Sequence, residues 1–292
     1  MSTAQPTLTR LLGSWSLAPG LLATLVVAAL LYLLGVRRLR RGWPAWRTCS
    51  FLAGLAALAL ALMSGVDRYA DELLSLHMVQ HLLLAVVAPV LLLCAAPLRL
   101  ALGSSPPGAR AVLAGVLSSR PARTLTHPAV GLLAFAGVML ATHLTGLFEL
   151  ALEDPALHAF EHSAYFWSGV LLLAPLIAAD PLAHPPGALA RFSWLMAAMT
   201  VMAVPGALLT FAANVRYPFY LAPARALGRS PLADEHLAGV VMWIGGGAAI
   251  FAIALAVAMS AMLAEERRQE RRELYQSDGG MEAERSAGVL GL

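Results

Sequence analysis

The chain alternates long apolar runs with short polar connections. A transmembrane helix needs about 20 mostly apolar residues, and seven runs approach or exceed this length. They cover about residues 17–36, 48–66, 73–97, 128–145, 159–179, 192–213 and 237–263. Because backbone groups in lipid must be hydrogen-bonded within their own segment, each run is predicted to be a helix. The pattern therefore predicts an all-α, polytopic membrane protein with seven transmembrane helices.

The composition agrees with a membrane protein. The chain is 59% hydrophobic and 13% charged, whereas soluble domains are about 45–50% apolar and about 25% charged. The formal net charge of +3 is modest, and the basic residues cluster in a few loops and a tail. This distribution favours membrane orientation over nucleic-acid binding. Cys49 and Cys94 lie on different runs, so the chain has no paired-thiol metal motif.

Arginines are concentrated in alternate connections. Five lie at residues 37–47 and four at residues 99–123, without acidic residues among them. The connections after the second and fourth runs carry acidic residues instead. The positive-inside rule therefore predicts an N-terminus outside and a C-terminus in the cytoplasm. We expect a transmembrane domain over residues 1–264 and a charged, partly disordered cytoplasmic tail over residues 265–292.

Two histidine pairs have the same spacing. His77 and His81 lie near one end of the third run, and His158 and His162 open the fifth. Residues four apart lie on one face of a helix. Ionisable groups at membrane depth are rare and are usually functional. On the expected topology, both pairs lie near the outer side of the membrane, which makes them candidate metal ligands.

Two further histidines are predicted at the same depth. His143 ends the fourth run and His236 precedes the seventh, whereas His127 and His184 fall on the cytoplasmic side. A single histidine of this kind is more often a hydrogen-bonded core residue. Two pairs and two single residues at one depth favour a metal or haem site. Imidazole suits copper, zinc, iron and nickel.

Other polar and sulphur-bearing side chains could support such a site. Nearby carboxylates orient the ring nitrogens of metal-binding histidines, although each acidic residue alone is more simply explained as a polar helix end. The nearest candidates are Asp67, Glu161 and Asp234. Thioethers are soft ligands for copper(I), although most methionines in an apolar chain serve packing. The methionines near this depth are Met63, Met78 and Met242.

Three segments resemble one known family. His77-Met-Val-Gln-His81-Leu-Leu-Leu, continuing to Pro89 and Pro97, resembles the HMxxHLLL…AP segment of the Caa3-type CtaG family of cytochrome c oxidase assembly factors. His158-Ala-Phe-Glu-His162 resembles the second histidine pair of that family. Residues 232–243 resemble its LADQxLAGxxMW segment, and His236 lies within this segment. The resemblance covers roughly the second to the seventh run.

The resemblance implies a function and a location. Members of the family are implicated in making an active haem–copper oxidase, which points to copper binding and delivery in the bacterial cytoplasmic (inner) membrane. It implies that the partners are haem–copper oxidase subunits and an extracytoplasmic copper donor protein, within the lipid bilayer. The protein would act as a respiratory-chain chaperone and not as an enzyme.

Three other functions remain open on the residues alone. Histidines from two helices could clamp a b-type haem in an electron carrier. Several histidines with a water and a general base such as Glu161 could form an intramembrane zinc hydrolase, although the chain has no HExxH motif. The chain could also be a structural subunit of a respiratory complex. Because His77 and His81 lie near a helix end, we expect their joint replacement by Ala to leave the fold nearly intact.

Overall fold

The computed structural model describes residues 6–39, 42–182 and 186–289, with side chains described as far as Arg271. All secondary structure in these residues is helical, which confirms the all-α prediction. His184, which the sequence placed in a cytoplasmic loop, lies outside the described residues.

Seven long helices correspond to the seven apolar runs. They are α1 (Pro19–Arg38), α2 (Ala45–Met63), α3 (Leu74–Ser104), α4 (Pro128–Leu144), α5 (Pro155–Ile177), α6 (Ala188–Thr210) and α7 (Pro231–Arg271). The last helix continues to Val289. The expected domain boundary at residue 264 and the disorder of the tail stay predictions.

Five of the described helices are long and apolar enough to cross a membrane, namely α1, α2, α3, α6 and α7. A sixth span results if α4 is joined to the helix Leu147–Glu153, which follows it at an angle of 78°. Helix α5 has 23 residues, but its first turns carry Glu161 and two histidines, which lower its apolar character. The chain is therefore a polytopic helical protein with five or six candidate spans, and the seventh span and the orientation stay predictions.

Short helices fill the connections. They are Leu8–Gly13, Gly65–Ala70, Pro107–Ser118, Arg120–Leu125, Leu147–Glu153, the 3-10 turn Pro218–Tyr220, and Leu221–Ala226. Of these, Leu147–Glu153 and the segment from Pro218 to Ala226 cover the ends of the long helices where the histidines lie.

Helices α3 and α7 each contain one π-helical turn, Leu83–Val87 and Val241–Gly245. In α3, Pro89 has no N–H, so the carbonyl of Ala85 has no α-helical donor four residues further on. Helix α5 passes this carbonyl at Gly169, where a Cβ would overlap the Ala85 oxygen. A glycine here lets the two helices approach closely.

Two large apolar cores and a small third cluster hold the described helices together. The larger lies between α3, α4, α5, α6 and α7 and contains fully buried Phe135, Tyr165 and Leu195. The smaller joins α1 and α2 to the second half of α3, where Tyr32 stacks on Phe51 with ring centroids 4.0 Å apart. The larger core carries the paired histidines at one end, between α3 and α5.

Candidate metal centre

The histidine pairs lie on the first turns of α3 and α5, and polar contacts fix both helix starts. The carboxylate of Asp234 accepts hydrogen bonds from the backbone N–H (3.2 Å) and hydroxyl (2.5 Å) of Ser75, at the start of α3. Asp154 caps α5 by accepting from the backbone N–H groups of Ala156 and Leu157. The rings that follow are therefore presented from well-defined helix ends.

The four paired histidines come together in space. The Nε2 atoms of His77 and His81 are 3.0 Å apart. The ring centroid of His77 lies 5.2 Å from that of His158 and 6.0 Å from that of His162. The centroids of His81 and His162 are 5.8 Å apart. Helices α3 and α5 are neighbours that turn their histidine faces towards each other.

Two groups of three ligands could each hold a metal ion, and they share His77. One is His77, His158 and His162, and the other is His77, His81 and Glu161. Within each group the candidate ligand atoms lie within 4.8 Å of one another. With metal–nitrogen bonds of about 2.0–2.1 Å, ligands of a tetrahedral ion are about 3.3 Å apart. Modest side-chain rotations would therefore bring either group onto one ion. We call these five residues the His/Glu cluster.

Several polar atoms of the His/Glu cluster are buried without a hydrogen-bond partner among the described residues. They are His81 Nδ1, His158 Nε2, His162 Nε2 and both carboxylate oxygens of Glu161. Glu161 Oε1 is 3.8 Å from His81 Nε2, which is too long for a hydrogen bond. A buried polar group left unpaired costs about 1–3 kcal/mol. A metal cation in the cluster would satisfy the atoms of His158, His162 and Glu161, so the residues fit a metal ion. His81 faces the cluster through its other ring nitrogen, Nε2.

The burial of the pair on α3 corrects one expectation from the sequence. His77 is 0% and His81 is 4% exposed, although both lie near a helix end. The short helices over this end of the bundle enclose them. Joint replacement by Ala would leave a cavity in the core, so the expectation of a nearly intact fold is wrong. His158 and His162 are only half-buried.

Aromatic residues that the sequence analysis missed position the His/Glu cluster. The hydroxyl of Tyr220 lies 2.9 Å from His77 Nδ1, and Tyr220 is 3% exposed. Tyr165 stacks on His81 with ring centroids 4.0 Å apart. Phe148 meets the His77 ring edge-on at 4.9 Å. These rings restrict the imidazoles, and Tyr220 leaves His77 Nε2 free to face the cluster.

His143 lies beside the His/Glu cluster but belongs to neither ligand group. Its Nδ1 is 3.0 Å from the carbonyl oxygen of Met139 and 2.9 Å from the hydroxyl of Thr142. Its Nε2 is 3.4 Å from the sulphur of Met78. The ring centroid is 6.3 Å from that of His81. His143 therefore fits a supporting position better than a ligand position in this arrangement.

His236 lies apart from the His/Glu cluster. It is half-buried, and its Nε2 is 2.9 Å from the carbonyl oxygen of Ala212. Among the described residues it belongs to neither ligand group. The depth predicted for His236 was that of the other histidines, but its ring is turned to the end of α6.

The three candidate carboxylates have different partners. Glu161 joins a ligand group directly. Asp234 bonds Ser75, and Asp67 accepts from the side-chain amide of Gln80 at 2.8 Å. Asp67 and Asp234 thus hold α3 rather than a histidine ring. Burial, aided by the charge of Asp71 and opposed by the Gln80 hydrogen bond, raises the pKa of Asp67 to about 6.

Comparison with known proteins gives one family. The family model described as cytochrome c oxidase caa3 assembly factor (Caa3_CtaG) matches residues 30–264. Uncharacterised proteins of Mycobacterium bovis and Mycobacterium tuberculosis are each 31% identical over 288 residues, which cover 94% of this chain and 42% of theirs. One of Mycobacterium leprae is 28% identical over 284 residues, with the same coverage. The chain thus spans less than half the length of these relatives, and no solved structure matches it significantly.

Proposed function

Because the chain belongs to the family of caa3 cytochrome c oxidase assembly factors, we propose that it binds copper at the His/Glu cluster. The protein then delivers this copper to a haem–copper oxidase in the bacterial cytoplasmic membrane. In this proposal copper is cargo, and the protein acts as a chaperone of the respiratory chain.

The observation that carries the proposal is the set of unpartnered atoms in the His/Glu cluster. Four imidazoles and one carboxylate converge, and five of their nitrogen and oxygen atoms are buried without hydrogen-bond partners among the described residues. Imidazole ligands suit copper. Delivery requires that the cargo can leave, and a centre with surplus imidazoles and no thiolate allows ligand exchange.

The proposal includes seven spans with the N-terminus outside. Arginines cluster at the connections after α1 and α3, and the histidine ends of α3 and α5 lie at the opposite ends of the helices. The positive-inside rule then assigns the His/Glu cluster to the outer side. Reporter fusions after Arg41 and Arg123 should report the cytoplasm, and a fusion at Glu153 the outside. A cytoplasmic signal at Glu153 would contradict this orientation.

Two partners follow from the proposal. The half-buried His158 and His162 form the more accessible side of the cluster, where an extracytoplasmic copper donor could release its ion. The acceptor is a subunit of the haem–copper oxidase.

The test uses the accessible histidines, because His77 and His81 are too buried for a clean deletion. The variant His158→Ala with His162→Ala should lower the copper content and activity of the host oxidase, while its subunits are still made. The matched control is His236→Gln, which changes a histidine of similar depth outside both ligand groups and should have no effect. Fully copper-loaded, active oxidase in the double variant would refute copper delivery by this cluster.

One observation favours a second candidate, an intramembrane zinc hydrolase. His77, His81 and Glu161 form a two-histidine, one-glutamate set, which is a ligand set of catalytic zinc sites. In this arrangement Glu161 is a ligand and no longer free to act as the general base. Metal analysis of the purified protein separates the candidates, since the hydrolase requires zinc. An absorption spectrum of the same sample tests for b-type haem.

A further inference from the structure

A small methionine-lined cavity lies next to His81. Its volume is about 10 Å³, and its lining includes His81, Tyr165 and four methionines, Met78, Met139, Met202 and Met242. This is close to the smallest cavity that holds one water molecule. The methionines come from four helices, α3, α4, α6 and α7. We call this cavity, with its four methionines, the methionine chamber.

The methionine chamber is buried and adjoins the His/Glu cluster. Met78, Met139 and Met202 are each 2% exposed and Met242 is 4% exposed. The sulphur of Met78 is 3.4 Å from His143 Nε2, so one thioether already faces an imidazole. Met63, which the sequence placed at the same depth, belongs to the smaller core and does not line the chamber.

His81 borders both the His/Glu cluster and the methionine chamber. Its Nε2 faces His77 in the His/Glu cluster, at 3.0 Å from His77 Nε2. Its other ring nitrogen, Nδ1, is buried without a hydrogen-bond partner among the described residues. A neutral imidazole offers one lone pair, and either nitrogen can carry it. His81 is thus the residue at which an ion could be handed from one place to the other.

We propose that the methionine chamber, together with His81, is a second position for the cargo, and that it is specific for copper(I). This inference rests on the proposed function, since it takes copper as the ion that the His/Glu cluster receives. Thioethers are soft ligands that select copper(I). Zinc and copper(II) lack this preference and are retained by imidazole and carboxylate ligands. The ion moves inward by exchanging ligands, without a redox step.

The chamber also explains how a buried site tolerates the ion. All of its proposed ligands are neutral, so copper(I) brings a single positive charge and a divalent ion would bring two. Burying the larger charge among neutral groups costs more. Ligand softness and charge therefore both select against zinc at this position.

The experiment compares a soft and a harder probe on the full-length protein purified in detergent. Silver(I) serves as a redox-inert probe for the copper(I) position, and cobalt(II) as a zinc-like probe for the His/Glu cluster. The variant is Met139→Leu with Met202→Leu, a replacement that nearly conserves volume. The control is Met259→Leu with Met262→Leu, at positions that are 54% and 65% exposed.

We expect silver(I) affinity to fall at least tenfold in the chamber variant and to stay unchanged in the control, with cobalt(II) affinity equal in all three proteins. X-ray absorption of the copper(I)-loaded wild type should show a sulphur shell that is weaker in the chamber variant, which keeps only Met78 and Met242. Unchanged silver(I) affinity, or nitrogen and oxygen scattering alone in the wild type, would overturn the chamber and leave the His/Glu cluster standing. If the wild type binds neither silver(I) nor cobalt(II), both proposals are overturned. If the chamber variant misfolds and binds neither ion, the X-ray absorption spectrum of the copper(I)-loaded wild type still tests the chamber.

Discussion

The hydrogen bond between Tyr220 and His77 offers a direct test of how the cluster is organised. A metal bound at His77 Nε2 requires the proton on Nδ1, which then donates to the Tyr220 oxygen 2.9 Å away. Tyr220→Phe removes that acceptor and keeps the ring. His77 then keeps its backbone hydrogen bond to Ala70 but loses its side-chain contact at Nδ1, so its orientation is less restricted.

The expected magnitude follows from the burial of this pair. Tyr220 is 3% and His77 0% exposed, so water cannot easily replace the lost partner. Removing such a second-sphere contact typically costs 10–100-fold in metal affinity, or about 1.4–2.7 kcal/mol. The free energy of unfolding without metal should fall by about 1 kcal/mol, the net contribution of one neutral hydrogen bond.

The assay is a competition titration of the purified protein against a chromophoric copper(I) chelator under anaerobic conditions. The matched control is Tyr217→Phe. Tyr217 is 5% exposed, and its hydroxyl donates to the backbone carbonyl of His143 at 3.3 Å, so it orients no ring nitrogen. Copper(I) affinity should fall in the Tyr220 variant and remain within threefold of wild type in the Tyr217 variant. Equal affinities in both variants would refute the claim that Tyr220 orients a ligand.

Two further variants test the helix contacts around the site. Gly169→Ala should lower the melting temperature, because the new Cβ would overlap the carbonyl oxygen of Ala85. Overpacking of this kind costs about 1–3 kcal/mol. The control Gly137→Ala should not lower the melting temperature, because no atom lies within 4 Å of its new Cβ. Asp67 has a raised pKa of about 6, so its protonated form favours the fold and its contribution to stability is lost as pH rises from about 4 to 6. Asp67→Asn should therefore melt progressively higher than wild type over that pH range, and a constant difference would show that Asp67 does not titrate there.

The helices were predictable from the sequence because an apolar segment in lipid can adopt few structures other than a helix. An apolar run in a bilayer must satisfy its backbone internally, so each of the seven runs lies on a helix. Counting spans was harder at α5, where ligands replace apolar residues. The same i, i+4 spacing that revealed His158 and His162 also makes their helix less apolar.

The candidate site was only partly predictable, because sequence gives depth along a helix but not the direction of a side chain between helices. His236 was expected at the depth of the other histidines, yet its ring faces the carbonyl of Ala212. Tyr220 contacts His77 across 143 positions of sequence, from a connection without a repeating pattern. Met139 and Met202 lie within regular apolar runs, where nothing distinguishes a chamber wall from ordinary packing.

The π-helical turns of α3 and α7 have a consequence for how relatives should differ in length. A π turn closes with one residue more than an α turn. Ala238 and Ala254 lie on either side of the turn Val241–Gly245, and both are 0% exposed. In a regular α-helix they would point about 160° apart, and absorbing one residue reduces this to about 60°. Deleting one residue inside either π turn should therefore restore an ordinary helix and leave the flanking faces in place, whereas the same deletion one turn away would rotate half of the helix out of the core. One-residue gaps among relatives should accordingly fall at these two places.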